Sequence, residues 1–254
     1  MIDIHCHILP GVDDGPATIE DSLEMAREAV REGIKVIIAT PHHKNNSYEN
    51  IKEDIVIKVN ELNNQLLKKD IPLKILAGQE NRIYGEIIKD FQQGEIQTLN
   101  NSKYLFIEFP TSSVPRYTER LLYDIQIEGI TPIIVHPERN KELMTNPNTL
   151  YNLVKNGALT QVTAASLAGY FGKSIQKFSK QLIEYNLTHF IASDAHNIGN
   201  RTFKLNEAFD IIDKEFGDEY SSIFIENAEL LVADENIYKE VPEQLKKRKF
   251  LGIF

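Results

Sequence analysis

A single cysteine, Cys6, occurs in 254 residues. One thiol cannot make a disulfide framework or a thiolate zinc site of the finger type, and it fits a reducing compartment. No apolar run approaches the roughly 18 residues that a membrane span requires. The opening Met1-Ile-Asp-Ile-His5 has no basic stretch leading into an apolar core, so no secretory signal is read there and a cytoplasmic location is expected. No Pro-, Ser- or Gly-rich linker and no low-complexity tract divides the chain, and its 42% hydrophobic content is enough for a large core. Residues 1–254 are therefore expected to form one domain. Positive charge is in the minority, with 28 Lys and Arg against 37 Asp and Glu. A net charge of −9 argues against a surface that tracks the phosphates of a long nucleic acid, and leaves a small or local phosphate target open.

Short β-branched runs alternate with amphipathic stretches, the rhythm of βαβ units. Strands are expected at Ile2 to His7, Ile34 to Thr40, Leu73 to Ala77, Tyr104 to Phe109, Ile130 to Val135, Leu159 to Thr163 and His189 to Ala192. Thr18 with Asp21 makes a capping box for the first helix, and Gly33 closes it. Further helices are expected near Ser47 to Lys69, Glu86 to Gln92, Tyr117 to Glu128, Ser174 to Tyr185, Phe203 to Phe216 and around Asn227 to Leu231. Seven strands, each leading into a helix, suggest an α/β, TIM-like barrel with one repeat fewer than the standard form. The terminal Lys246-Lys-Arg-Lys-Phe-Leu-Gly-Ile-Phe is basic; it reads as a solvated tail, with contact to an acidic partner as the alternative.

Six of the seven histidines fall where a strand is expected to end. His5 and His7, two apart on an extended chain, project to one face. His42 and His43 follow the second strand, Glu80 the third, Glu108 the fourth, His136 the fifth, and Asp194 with His196 the seventh; the sixth contributes nothing. The C-terminal strand ends of a barrel converge on one rim, so these groups come within reach of shared cations. Imidazole and carboxylate without thiolate suit zinc, manganese or iron. Cys6, between two ligands on an alternating strand, should face away and be inert. A cysteine-based tyrosine phosphatase needs an arginine six positions after its nucleophile, where this chain has Val12. Asp13-Asp14-Gly15 fits an ordinary Asx turn as well as a ligand.

His5-Cys-His7, Thr40-Pro-His-His43, Gly78-Gln-Glu80, Ile107-Glu108-Phe-Pro110, His136-Pro-Glu-Arg139 and Ser193-Asp-Ala-His196 resemble the polymerase-and-histidinol-phosphatase (PHP) superfamily. With Leu9-Pro-Gly-Val-Asp-Asp-Gly15 they are similar to the PHP-type tyrosine-protein phosphatases of Gram-positive bacteria, the CpsB and YwqE group, along the whole chain. The resemblance implies a distorted (β/α)7 barrel with a three-metal cluster. His5, His7, Glu80 and Asp194 would surround one ion, and Glu80 would bridge to a second held by Glu108 and His136. Asp14, His42 and His196 would hold the third. Manganese is the ion implied first, with iron, zinc and magnesium as alternatives.

Arg139 and Arg201 match positions that contact phosphate in that family, although an isolated arginine is usually only solvated. His43 should pack or shape the pocket, and His189 should be structural. The implied activity is metal-dependent hydrolysis of phosphotyrosine by an activated water. The implied substrate is a phosphotyrosine protein, a bacterial tyrosine autokinase linked to polysaccharide synthesis. Two alternatives stand beside it: another PHP phosphoesterase acting on histidinol phosphate or nucleic-acid ends, and a non-catalytic module that keeps metals for stability.

Overall fold

A computed structural model describes residues 1–245; the basic tract from Lys246 onward lies outside the described residues. Among the described residues, nine parallel strand segments occur in chain order. They are β1 (Ile2–Cys6), β2 (Val36–Ala39), β3 (His42–His43), β4 (Lys74–Ala77), β5 (Glu80–Arg82), β6 (Tyr104–Glu108), β7 (Thr131–Val135), β8 (Leu159–Thr163) and β9 (Phe190–Ala192).

Two of the breaks are local. Pro41 has no N–H and interrupts the ladder between β2 and β3, as proline must. Its neighbours still bridge the gap: the Gly78 N–H donates to Ala39 O at 2.9 Å and the Glu80 N–H to Pro41 O at 3.0 Å. Thus β2 with β3, and β4 with β5, are single extended runs, and the expected seven strands are recovered. The ring closes where the Asp194 N–H donates to His5 O (2.8 Å) and the His7 N–H to Ala195 O (2.9 Å), beside the Cys6–Ala195 bridge.

Two apolar clusters divide the core. Ile4, Ile38, Tyr104, Phe106, Ile133, Val135, Leu159 and Phe190 fill the lower barrel, and Ala228 and Leu231 of a C-terminal helix (Asp218–Val232) join them from below. The larger cluster packs the sheet against the outer helices. The first helix (Ile19–Arg31) begins at the expected capping box, with Thr18 and Asp21 exchanging hydrogen bonds.

The second helix, Lys52–Lys68, starts later than the expected Ser47. Asn45 Oδ1 accepts the N–H groups of Ser47 and Tyr48, and Asn50 Nδ2 donates to Val12 O and His42 O, so local asparagine chemistry outcompetes the helix there. Between β7 and β8, where the sequence marked no range for the expected helix, the chain forms a 3₁₀ turn (Pro137–Arg139) and helices Lys141–Thr145 and Pro147–Lys155. No helix among the described residues is long and apolar enough to cross a membrane.

Gly78 stands between β4 and β5, two residues before Glu80. A Cβ there would lie 2.6 Å from Ile38 Cγ2 and 2.9 Å from Leu99 Cδ2, in a packed interior. Gly78→Ala should therefore destabilise the fold by about 1–3 kcal/mol, the usual range for overpacking. Urea unfolding measures this; an unchanged midpoint would show that the close approach is not a constraint.

Candidate metal centre

The upper barrel replaces apolar side chains with imidazoles and carboxylates, and local backbone features aim them. In β1 the register slips: Asp3 pairs with Ile37 but Cys6 with Ala39, three residues against two. Such a bulge re-aims side chains. Here Ile4 joins the lower core while the ring of His5, the next residue, lies 4.9 Å from that of Phe106 in the same interior. Alternation then resumes: Cys6 turns outward into the helix-side cluster, fully buried, and His7 turns inward. Burial raises the Cys6 thiol well above its ordinary pKa, which agrees with the inert role expected for it.

Three histidines have their far ring nitrogen tied back. His5 Nδ1 lies 2.9 Å from Gln161 Oε1, His7 Nδ1 2.7 Å from Asp13 Oδ2, and His196 Nδ1 2.9 Å from the Asp194 carbonyl. Each acceptor draws the ring proton to Nδ1 and leaves the Nε2 lone pair facing the cluster, the arrangement of metal-ligating histidine.

His5 Nε2 and His7 Nε2 face each other at 3.3 Å. Glu80 Oε2 is 3.6 and 3.2 Å from them, and Asp194 Oδ1 3.4 and 3.5 Å. Four donor atoms around one ion at about 2.0–2.2 Å require edges of this size. A second group joins His7, Asp14, His42 and His196, with Asp14 Oδ1 3.4 Å from His42 Nε2 and 3.2 Å from His196 Nε2.

A third group joins His42, Glu80 and Glu108. Here the geometry departs from the partition implied by the resemblance: His42 Nδ1 reaches Glu80 Oε2 at 2.8 Å and Glu108 Oε2 at 3.9 Å, while His136 Nε2 meets Glu80 Oε1 at 2.8 Å. All nine expected ligands thus lie in one connected cluster.

Donor chemistry and burial fit divalent cations. Among the described residues, His42 Nδ1, Glu80 Oε2, Glu108 Oε2 and His196 Nε2 are buried without a hydrogen bond of normal geometry, facing one another, His5, His7, Asp14 and, for Glu108, Arg82. Leaving such groups unmet is costly. Burial and the facing charge of Glu80 push Glu108 up to about 7, despite Arg82 Nη2 at 3.2 Å. Burial and the adjacent Arg139 push His136 down to about 4. A cation among the carboxylates removes the first conflict, and a neutral imidazole is the form that binds metal.

Both expected arginines border the cleft, of about 270 Å³, that Asp14, His42, Glu108, His136 and Asp194 also line. Neither is a free surface group. Arg139 Nη2 pairs with Asp194 Oδ2 at 2.6 Å, and its guanidinium lies 5.5 Å from the centre of the Phe171 ring. Arg201 Nη1 donates to Asp14 Oδ2 at 2.9 Å, and its Nη2 is 3.7 Å from Asp194 Oδ2.

His43 is buried on the other side of its strand near Tyr84, as expected for a packing residue. His189 Nδ1 accepts the Thr160 N–H, and burial drives its pKa down to about 3, which agrees with a structural role. Asp13, Gln161 and Arg82 were not anticipated. Arg82 follows Glu80 by two residues, so strand alternation pointed to it.

The CpsB/CapC family of capsular polysaccharide synthesis matches residues 1–233. The chain belongs to the CpsB/CapC family. It is 52% identical, over all of both chains, to tyrosine-protein phosphatase YwqE of Bacillus subtilis (strain 168). It is 34% identical to tyrosine-protein phosphatase CpsB of Streptococcus agalactiae serotype III (strain NEM316), over 93% of this chain and 100% of that one. Among solved structures, one from work on Bacillus subtilis YwqE and Streptococcus pneumoniae CpsB, called unique metal-dependent tyrosine phosphatases, superposes with a TM-score of 0.95. The two share 51% identity over 97% of this chain and 100% of that one.

In this CpsB/CapC chain Asp13 holds two candidate ligands, through His7 Nδ1 and the His42 N–H, the latter at 3.1 Å. Asp13→Ala should weaken divalent-metal affinity by roughly 10- to 100-fold, as loss of such supporting partners does. Titration with metal against a competing chelator checks this; unchanged affinity would make Asp13 only a turn residue.

Proposed function

We propose that the chain is a metal-dependent protein-tyrosine phosphatase. The observation that carries the proposal is the conjunction, at one cleft, of a buried cluster of imidazoles and carboxylates with two arginines. His5, His7, Asp14, His42, Glu80, Glu108, His136, Asp194 and His196 would hold three divalent cations, manganese first among the candidates. Cations bound there would supply Lewis acidity to the phosphoryl oxygens and activate a water for the attack.

The chain's own residues do the rest. Arg139 uses one nitrogen on Asp194, and Arg201 uses one on Asp14 with a second 3.7 Å from Asp194; both keep further N–H donors for the substrate phosphate. Asp194 and Asp14 hold these guanidiniums at the cleft edge, so the phosphate meets charge-assisted donors without a large rearrangement. Phenolate leaves readily because tyrosine's pKa is about 10, so the reaction makes little demand on a general acid and none is assigned. The sequence relationship to enzymes named tyrosine-protein phosphatases, in a family of capsular polysaccharide synthesis, supports a phosphotyrosine protein of that process as substrate. We take this protein to be an autophosphorylating tyrosine kinase, and the site of action to be the cytoplasm.

Chelation should abolish hydrolysis of a phosphotyrosine peptide, and add-back of manganese, iron, zinc or magnesium should restore it to differing degrees. Alkylation of Cys6 should leave it intact. Assays on histidinol phosphate and nucleic-acid ends run beside it. Turnover preferring either of those would replace the tyrosine-phosphatase reading, and no metal-stimulated turnover at all would leave a binding module.

Arg139→Ala should keep its metals and lose roughly 10- to 150-fold in kcat/KM, the effect of one charged hydrogen bond. Steady-state kinetics beside metal analysis checks this; wild-type kcat/KM, or lost metal, would remove Arg139 from the phosphate site.

A further inference from the structure

One wall of the cleft is an exposed loop fixed as if it were buried. After β6 the chain runs through Phe109-Pro-Thr-Ser-Ser-Val114, and Phe109 and Thr111 line the cleft with Arg139 and Asn140. Thr111, Ser112 and Ser113 are exposed. The loop is nevertheless fastened by the three residues that follow Arg139. Asn140 Nδ2 donates to Pro110 O at 2.8 Å and to Ser113 O at 3.1 Å. The Lys141 N–H donates to Thr111 O at 3.0 Å, and Glu142 Oε2 accepts the Val114 N–H at 2.8 Å. Asn140 itself is 4% exposed, and its Oδ1 caps the Lys141–Thr145 helix by accepting the Leu143 N–H at 2.9 Å.

We propose that Asn140 is a positioning residue for substrate specificity: it holds the 110–114 loop as a preformed wall for the peptide that flanks the phosphotyrosine. The proposal rests on the tyrosine-phosphatase reading above. A loop ordered in advance spares the substrate the entropy of ordering it, and the gain appears in binding. The wall's exposed side chains are uncharged hydroxyls, suited to hydrogen bonds with a peptide at the mouth. Arg139 has separate anchors in Asp194 and Phe171, and Glu138 Oε1 fixes the same turn by accepting the Thr163 N–H and the Ser166 hydroxyl. Releasing the loop therefore leaves the phosphate contacts in place.

Asn140→Ser separates the two roles, because serine still caps a helix but cannot span to Pro110 and Ser113. In the metal-loaded full chain, KM for a phosphotyrosine peptide should rise about 5- to 10-fold with kcat little changed, the effect of two neutral hydrogen bonds. KM for phenyl phosphate and inhibition by inorganic phosphate should stay within about twofold of wild type. Amide exchange at Val114 should accelerate in the same variant. Glu142→Ala, which removes only the Val114 contact, should show a smaller shift in the same direction and serves if Asn140→Ser does not fold. Equal changes for peptide and phenyl phosphate, no change in either, or unaltered exchange would overturn the proposal. Retained turnover of phenyl phosphate in each of these cases leaves the phosphatase reading standing.

Discussion

The structure turns on one carboxylate, Glu80. It is completely buried, and both its oxygens face imidazoles: Oε2 lies 3.2 Å from His7, 3.6 Å from His5 and 2.8 Å from His42, while Oε1 lies 2.8 Å from His136. Burial works against ionising it, but the facing imidazoles, His42 foremost, prevail and hold its pKa well below the usual carboxylate range. A buried anion persists only where positive charge meets it. With several imidazoles already tied back through Nδ1, divalent cations answer that demand best, and Glu80 stands where two of them would share it.

The backbone is shaped around this demand. The bulge in β1 brings His5 inward one residue early, and the close approach of Gly78 to Ile38 and Leu99 seats the strand run that carries Glu80. Pro41 breaks the neighbouring run just before His42. The lower barrel, filled by Phe106, Tyr104 and Phe190 and joined from below by the C-terminal helix, supplies the apolar burial that the upper barrel lacks. This division resembles that of other barrels, with stability below and chemistry at the C-terminal rim.

Much of this was legible in the sequence, because a ligand at a strand end is a positional signal. His5, His7, His42, Glu80, Glu108, His136, Asp194 and His196 all lie at or just past the ends of expected strands, and the structure gathers them with Asp14 and both arginines in one cluster. The supporting residues were harder to see. The sixth strand appeared silent because it ends in no ionisable group, yet its Gln161 orients His5. Asp13 was hidden by its neighbour Asp14, since a turn motif does not say which carboxylate faces inward. The shortened start of the second helix came from Asn45 and Asn50, whose partners are distant in sequence or set by turn geometry. Asn140 shows the same difficulty: its helix cap is local and readable, but its hold on Pro110 and Ser113 spans the fold.

The central claim is that Glu80 is shared between cations whereas Asp14 serves one. Metal analysis of purified Glu80→Ala beside Asp14→Ala, each loaded under the same conditions, tests it most directly. The account predicts that Glu80→Ala retains clearly less divalent metal per chain than Asp14→Ala, with both still folded. Equal metal content in the two variants would contradict the bridging role of Glu80 and the cluster built around it.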